Sequence, residues 1–117
     1  PANREIAIRR LIQQLQSDSA PPDLPFAGAL RPLTVAAKAW GPVSHAIFVG
    51  AVGQPEWSTY EIKPSSPNET QSRSVTVRWE VYRVDQRYRS AMWEIAVDRN
   101  GRIWGVKAEA IALSDDR

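Results

Sequence analysis

The fold is decided by residues 74–113, which read SVTVRWEVYRVDQRYRSAMWEIAVDRNGRIWGVKAEAIAL. β-Branched and aromatic residues fill three segments of this stretch, and such residues favour strands. The segments are 74–84, 88–98 and 103–113. Their connections are short, Asp85-Gln86-Arg87 and then Asn100-Gly101, and the second is a strong two-residue turn signal. The stretch therefore predicts three long antiparallel strands joined as hairpins.

Triplets of an aromatic residue, Glu and an aliphatic residue mark three of the predicted strands. They are Tyr60-Glu61-Ile62, Trp79-Glu80-Val81 and Trp93-Glu94-Ile95. Side chains alternate between the two faces of a strand, so each triplet places its ring and aliphatic group opposite its carboxylate. We therefore predict that the rings belong to a packed face. The glutamates are predicted to face solvent, where neighbouring arginines and lysines pair with them.

The chain before residue 74 adds helices and two further predicted strands. Apolar residues at helical spacing predict a first helix that ends near residues 17–19, and Gly41 closes a second helix predicted over 32–40. The apolar stripe of the first helix is Ala7, Ile8, Leu11, Ile12 and Leu15. Strands are predicted at 45–52 and 57–63, separated by Gly53-Gln54-Pro55, and a polar surface loop at 64–72.

Together these elements predict one α+β domain over residues 1–117. Its N-terminal helices pack on a curved antiparallel sheet of about five strands, in a cone-like or cystatin-like arrangement. A chain of 117 residues is long enough to bury a core of its own.

Composition excludes several classes of function. The chain has no cysteine, so disulfides, thiolate metal sites and cysteine nucleophiles are ruled out. The longest apolar run, residues 46–53, is far shorter than the ~20 residues of a membrane-spanning helix. No secretory signal is recognisable, and the composition fits the cytoplasm as well as the periplasm or a secreted, processed protein. Localisation therefore stays open.

From residue 40 to residue 106 the chain resembles the nuclear transport factor 2-like superfamily, which includes ketosteroid-isomerase-type and polyketide-cyclase-type proteins. The residues that carry the resemblance are Gly41-Pro42-Val43, Ile47-Phe48-Val49-Gly50, Tyr60-Glu61-Ile62, Trp93 to Asp98 and Asn100 to Gly105. The resemblance implies an α+β cone with a pocket between helices and sheet, and a homodimer formed through the sheet. Enzymes of the superfamily place a catalytic Asp or His with a Tyr or His partner inside the cone. No such motif is matched here residue by residue.

Aromatic side chains are the candidate lining of that pocket. They are Trp40, Tyr60, Trp79, Trp93 and Trp104. Strand alternation places Trp104 on one face with Val106 and the alanines 108, 110 and 112, whose small side chains leave room for a cavity. Packing in the hydrophobic core is the alternative role of these rings. A cone accommodates both roles at once.

Residues suited to other chemistry are few. His45 is the single histidine and a candidate general base, although a place at a strand end near the surface is the alternative. One histidine without cysteine gives no metal site, and nothing implies a cofactor. Residues 71–107 hold eight basic and four acidic side chains, but the two signs are interspersed and no RNA-binding aromatic motif is present. Nucleic acid is therefore not favoured as a partner.

Three hypotheses of function follow. The first is a non-catalytic module that binds a small apolar ligand or a protein partner through a hydrophobic pocket between helices and sheet. The second is a small lyase or isomerase that uses His45 or a glutamate as base in the same pocket. The third is a component of a larger bacterial assembly, docked through the basic face of the sheet.

Overall fold

A computed structural model describes residues 2–19, 24, 30–62 and 73–112 of the chain. The predicted loop at 64–72 lies wholly outside these residues. Two helices precede four strands: α1 (Ala2–Gln16), α2 (Leu30–Trp40), β1 (Val43–Ile62), β2 (Arg73–Gln86), β3 (Ser90–Val97) and β4 (Ile103–Ala110). No helix in this part of the chain combines the length and the apolar composition needed to cross a bilayer.

Helix α1 forms where the apolar spacing predicts it. Ile8, Leu11, Ile12 and Leu15 are buried at the centre of the main core, and Ala7 is half-buried beside them. The helix ends as predicted, because Asp18 adopts a left-handed conformation with φ of 57° directly after it.

Helix α2 begins two residues before the predicted start and ends before Gly41, whose φ is 84°. Its last carbonyl groups have no partner within the helix, and such groups must be bonded elsewhere. Two glutamines supply the donors: Nε2 of Gln16 and Nε2 of Gln86 both hydrogen-bond to the carbonyl oxygens of Ala37 and Gly41. This shared cap ties the end of α2 to α1 and to the sheet.

The strands form one open antiparallel sheet in the order β1-β2-β3-β4. The structure confirms the α+β class, but its described residues form four strands where the sequence predicts about five. The segments predicted at 45–52 and 57–63 belong to one strand, β1, and both of them pair with β2. Val52 pairs with Trp79 and Trp57 with the adjacent Arg78, so residues 53–56 form an insertion within β1. The break at Gly53-Gln54-Pro55 thus interrupts the register without ending the strand.

The sheet is covered unequally on its two faces. We call the face that packs on the helices the inner face and the opposite one the outer face. The inner core joins both helices to buried residues of the sheet: Ala46, Tyr82, Val84, Ala91, Trp93, Ile95, Val97 and Val106. The outer face has a smaller cluster of Val77, Ala96 and Trp104, with Ile62, Val75 and Trp79 packed against it.

Strand β2 corrects the prediction that every triplet buries its ring and exposes its glutamate. Trp93 and Ile95 are buried on the inner face, as predicted. In β2 the pattern is reversed: Glu80 is only 3% exposed on the inner face beside Tyr82, and Trp79 lies on the outer face. The reason is that β2 is packed on both faces, so its apolar residues do not mark a single interior.

Strand β4 corrects the predicted position of Trp104. Ala96 pairs with Gly105 and Val97 with Ile103, so Trp104 is an extra residue in β4. Such a bulge breaks the alternation of side chains. Trp104 therefore packs with Ala96 and Val77 on the outer face, whereas Val106 belongs to the inner core.

Candidate functional site

A cavity of about 460 Å³ lies between α1 and the inner face of the sheet. Its walls come from α1, the second half of β1, the middle of β2, the end of β3 and the turn that follows β3. The lining residues are Arg4, Ala7, Trp57, Arg78, Glu80, Tyr82, Ile95, Val97, Asp98, Arg99 and Gly101. The cavity reaches the surface at the β3–β4 turn, where Arg99 and Gly101 are exposed.

The buried carboxylate of Glu80 is the centre of a polar network in this cavity. Its Oε1 accepts a hydrogen bond of 2.9 Å from the hydroxyl of Tyr82. Its Oε2 accepts hydrogen bonds from Arg78, one of them from Nε at 3.2 Å, and lies 3.7 Å from Nε of Arg4. A buried carboxylate is tolerated only with such partners, since desolvation disfavours an isolated charge.

The network fixes the protonation of its other members. Burial, followed by the hydrogen bond to Glu80, raises the pKa of the Tyr82 hydroxyl well above its ordinary value of 10. The hydrogen bond to Glu80 also raises the pKa of the Arg78 guanidinium, against the effect of its desolvation. Tyr82 therefore stays a neutral hydrogen-bond donor and Arg78 a cation at physiological pH.

Trp57 links this network to the mouth of the cavity. Arg78 donates from Nη1 to Glu56 at 2.7 Å, and its guanidinium carbon lies 5.2 Å from the centroid of the Trp57 ring. The guanidinium of Arg99 lies over the same ring, with 4.3 Å between its central carbon and the centroid. Two cations thus contact one ring, an arrangement that the negative face of an indole favours.

Asp98 shapes the turn that carries Arg99. Its Oδ1 accepts hydrogen bonds from the backbone amides of Asn100 and Arg102, at 2.9 and 3.0 Å. Its Oδ2 accepts one of 2.9 Å from the indole N–H of Trp104. Burial opposes ionisation of this carboxyl, but the three hydrogen bonds and the nearby charge of Arg102 outweigh it, and the pKa of Asp98 is lowered. The structure confirms a tight turn at Asn100-Gly101, with φ of 83° at Gly101, but the loop has three residues, 99–101, rather than two, because the backbone N–H of Asp98 bonds to the carbonyl of Arg102.

The aromatic residues predicted to line one pocket are divided between the two faces of the sheet. Trp40 and Trp93 meet on the inner face, edge to face, with 6.0 Å between ring centroids. Trp79 and Trp104 lie on the outer face, and Tyr60, paired with Val75 of the outer cluster, is 39% exposed. None of the five lines the cavity beside α1.

His45 lies apart from the cavity. It is exposed near the start of β1, where it pairs with Asp85 of β2 across the sheet. It does not line the cavity beside α1. Among the residues that the structure describes, no three His, Asp or Glu side chains lie close enough together to hold a metal ion. A second cavity, of about 500 Å³, is lined by residues of β2, β3 and β4 that include Val81, Met92 and Lys107.

The polar residues of the α1 cavity are those that the sequence interpretation missed. The alternation in β2 predicts a surface position for Glu80, and no pattern in the sequence brings it together with Trp57, Tyr82, Asp98 or Arg99. A signal was present in β2, where apolar residues occupy odd positions up to Val81 and even positions from Tyr82 to Val84. The pairing of β2 with β3 is continuous here, so side chains keep alternating between the two faces. The apolar residues therefore move from one face to the other, which means that both faces of β2 are packed and that Glu80 and Tyr82 share one of them.

No protein-family model matches the chain, and no curated protein or solved structure matches it significantly.

Proposed function

We propose that this protein is a non-catalytic binding module of nuclear transport factor 2-like type that holds a small ligand in the cavity between α1 and the sheet. The cavity is the observation that carries the proposal. Its volume of about 460 Å³ lies within the range of small-molecule sites, roughly 300–1,000 Å³. The order of elements, helices first and then an antiparallel sheet, is compatible with the cone fold that the sequence resembles.

The lining of the cavity supports binding of a ligand with an apolar body. Ala7 and Trp57, both half-buried, supply apolar surface, and the almost fully buried Ile95 and Val97 complete the wall. A few convergent polar groups beside such a surface are typical of ligand sites, because they fix the orientation of the molecule. Arg4, Arg78 and Glu80 hold one another in place before any ligand arrives, which lowers the entropy lost on binding.

The bonding of Glu80 favours binding over catalysis. A general base needs a free oxygen within hydrogen-bond reach of the proton that it removes. Both oxygens of Glu80 are already bonded, one to Tyr82 and the other to Arg78. These bonds occupy three of the roughly four lone-pair positions of the carboxylate, so a ligand could approach it only at Oε1, beside the hydroxyl of Tyr82.

A lyase or isomerase is the second candidate, and one observation favours it. A buried carboxylate and a phenol, Glu80 and Tyr82, lie side by side in the cavity and form an acid–base pair in reach of a bound molecule. In this alternative Glu80 replaces His45 as the base. Recovery of the bound molecule as a chemically changed product, lost in Glu80→Gln, would favour it over simple binding.

The experiment that tests the binding proposal is a titration with 1-octanol, a neutral apolar probe, followed by amide NMR spectra of the whole chain. We expect saturable shifts at Ala7, Ile95 and Gly101, which surround the cavity. Ala7→Trp, which fills the cavity from α1, should abolish them. Ala39→Trp, on the exposed side of α2, is the matched control and should leave them unchanged. Shifts that persist in Ala7→Trp, or that occur elsewhere, would contradict the proposal.

The homodimer implied by the resemblance stays a prediction. Its surface would be the outer face of the sheet, where Ile47, Val52 and Tyr60 leave 43%, 45% and 39% of their area exposed. Exposed apolar groups of this kind are typical of interaction surfaces. Sedimentation analysis that finds only the monomer at micromolar concentration would contradict the prediction. Docking into a larger assembly also stays a prediction.

A further inference from the structure

We propose that the cavity selects ligands that carry an anionic group on an apolar body, and that Arg99 at its mouth binds the anion. This inference depends on the proposed ligand-binding function and adds the chemical class of the ligand. It follows from the distribution of charge among the residues that line the cavity: three arginines and two carboxylates.

Four of these five charged groups have hydrogen-bond or ion-pair partners within the protein. Glu80 accepts hydrogen bonds from Tyr82 and Arg78 and pairs with Arg4. Arg78 is in turn bonded to Glu56. Asp98 is satisfied by the indole of Trp104 and by two backbone amides of its own turn. The charge of Glu80 is therefore offset by two guanidinium groups. Asp98 keeps its negative charge, which neutral donors and the nearby charge of Arg102 stabilise.

Arg99 is the fifth charge, and it differs from the others. Within the described residues it forms no ion pair and no hydrogen bond, and its one contact is the face of the Trp57 ring. Contact with a ring face uses no N–H group, so the planar fork of guanidinium donors stays free for a carboxylate. Stacking also restricts the side chain, which reduces the entropy lost when it binds an anion.

The turn holds Arg99 at a defined position relative to the apolar wall. Asp98 precedes it and is tied to both the turn and Trp104, so the backbone on which Arg99 sits is fixed. Val97 lies two residues away on β3 and lines the same cavity with Ile95. A molecule whose tail packs against these residues therefore places its head group at the exposed mouth, beside Arg99.

The test compares three probes with the same alkyl chain: 1-octanol, octanoate and octylammonium, titrated at neutral pH and followed by amide NMR. Octanoate is expected to bind about fivefold more tightly than octanol, which is the effect of one partly exposed ion pair. Octylammonium should bind more weakly than either. Arg99→Gln should reduce the affinity for octanoate to that for octanol and leave octanol binding unchanged.

Arg87→Gln is the matched control. Arg87 lies in the turn between β2 and β3 and also contacts an aromatic face, since its guanidinium carbon is 5.4 Å from the centroid of the Tyr88 ring. It does not line the cavity, so its replacement should leave the preference for octanoate intact. Because both arginines are exposed, neither substitution is expected to prevent folding.

The outcomes separate the two proposals. Equal binding of octanol and octanoate at the cavity, or a preference for octanoate that survives in Arg99→Gln, overturns the assignment of Arg99 and leaves the binding function standing. Tighter binding of octylammonium overturns the anionic class. If none of the probes perturbs the residues around the cavity, the binding function itself fails, and the inference fails with it.

Discussion

The two faces of the sheet handle charge in different ways. On the inner face, Glu80 is nearly fully buried, and its charge is balanced by arginines and a phenol. Cations lie over aromatic rings on both faces, but on the outer face no carboxylate of the described residues is buried beneath them: Lys107 is 4.5 Å from the ring centroid of Trp79, and Arg102 is 4.2 Å from that of Trp104. Access to water explains the difference. A buried charge needs an opposite charge, whereas a hydrated cation can cover an apolar ring and keep its solvent.

The largest difference between the faces should appear when a tryptophan is removed from each. Trp93 is fully buried on the inner face, and its indole N–H has no acceptor among the described residues, so its contribution is apolar packing. Trp93→Ala should lower the free energy of unfolding by about 3–5 kcal/mol. Trp79→Ala on the outer face should cost about 1–2 kcal/mol, because this ring is only partly buried.

Urea unfolding, followed by far-ultraviolet circular dichroism, measures both tryptophan variants. Ala39→Trp from the binding experiment serves as the control for an aromatic change without burial. Equal losses for Trp93→Ala and Trp79→Ala would contradict the comparison, since they would mean that the outer cluster contributes as much to stability as the inner core.

The faces could be predicted only in part from the sequence. Helix α1 was predictable because its apolar residues repeat at helical spacing and mark one side. Strand β3 was predictable for a similar reason, since Trp93 and Ile95 alternate with the less buried Glu94. In β2 both faces are packed, so apolar residues mark each of them: Val77 and Trp79 on one, Tyr82 and Val84 on the other. Alternation alone does not tell which of the two sets faces the helices. Trp104 is misplaced because a single extra residue in β4 shifts its face, and the one local signal of this bulge is the neighbouring Gly105, an isolated glycine within a strand.

The cavity could not be predicted from local patterns. It joins Arg4 of α1 to Glu80 of β2 and Arg99 of the β3–β4 turn, which are far apart along the chain. Their meeting depends on the register of the sheet and on the position of α1 over it. Short spacing rules describe one element at a time, so they identify Arg99 only as a turn residue and Glu80 only as a strand residue.

The second largest difference should appear when a glutamate is neutralised on each face. Glu80→Gln leaves Arg78 and Arg4 beside a neutral partner in a largely buried site. We expect a loss of about 2–3 kcal/mol, below the ~3–5 kcal/mol of a fully buried pair, because both arginines keep contact with water. Glu94→Gln on the outer face, beside Lys107, should change stability by no more than about 0.5 kcal/mol.

The same urea titrations measure these two variants. A loss in Glu80→Gln no larger than that in Glu94→Gln would show that the inner network contributes nothing beyond an ordinary surface pair.

The smallest difference concerns Asp98, which connects the two faces by bonding Trp104 of the outer cluster while it lines the inner cavity. The pKa of Asp98 is lowered from its ordinary value of 3.8, so its ionised form is favoured in the folded state. Its contribution to stability is therefore complete above pH 3.8 and is lost as the pH falls through the lower pKa of the folded protein. Asp98→Asn should cost about 1–2 kcal/mol at pH 7, where the wild-type carboxylate accepts charge-assisted hydrogen bonds. The gap in unfolding free energy between the two proteins should shrink below about pH 4.

Urea unfolding at pH 7, 5, 4 and 3.5 measures this gap, with Arg87→Gln as a control whose difference from wild type is expected to stay constant. A gap for Asp98→Asn that is equally large at pH 3.5 and pH 7 would mean that the shape of the side chain, rather than its charge, holds the turn.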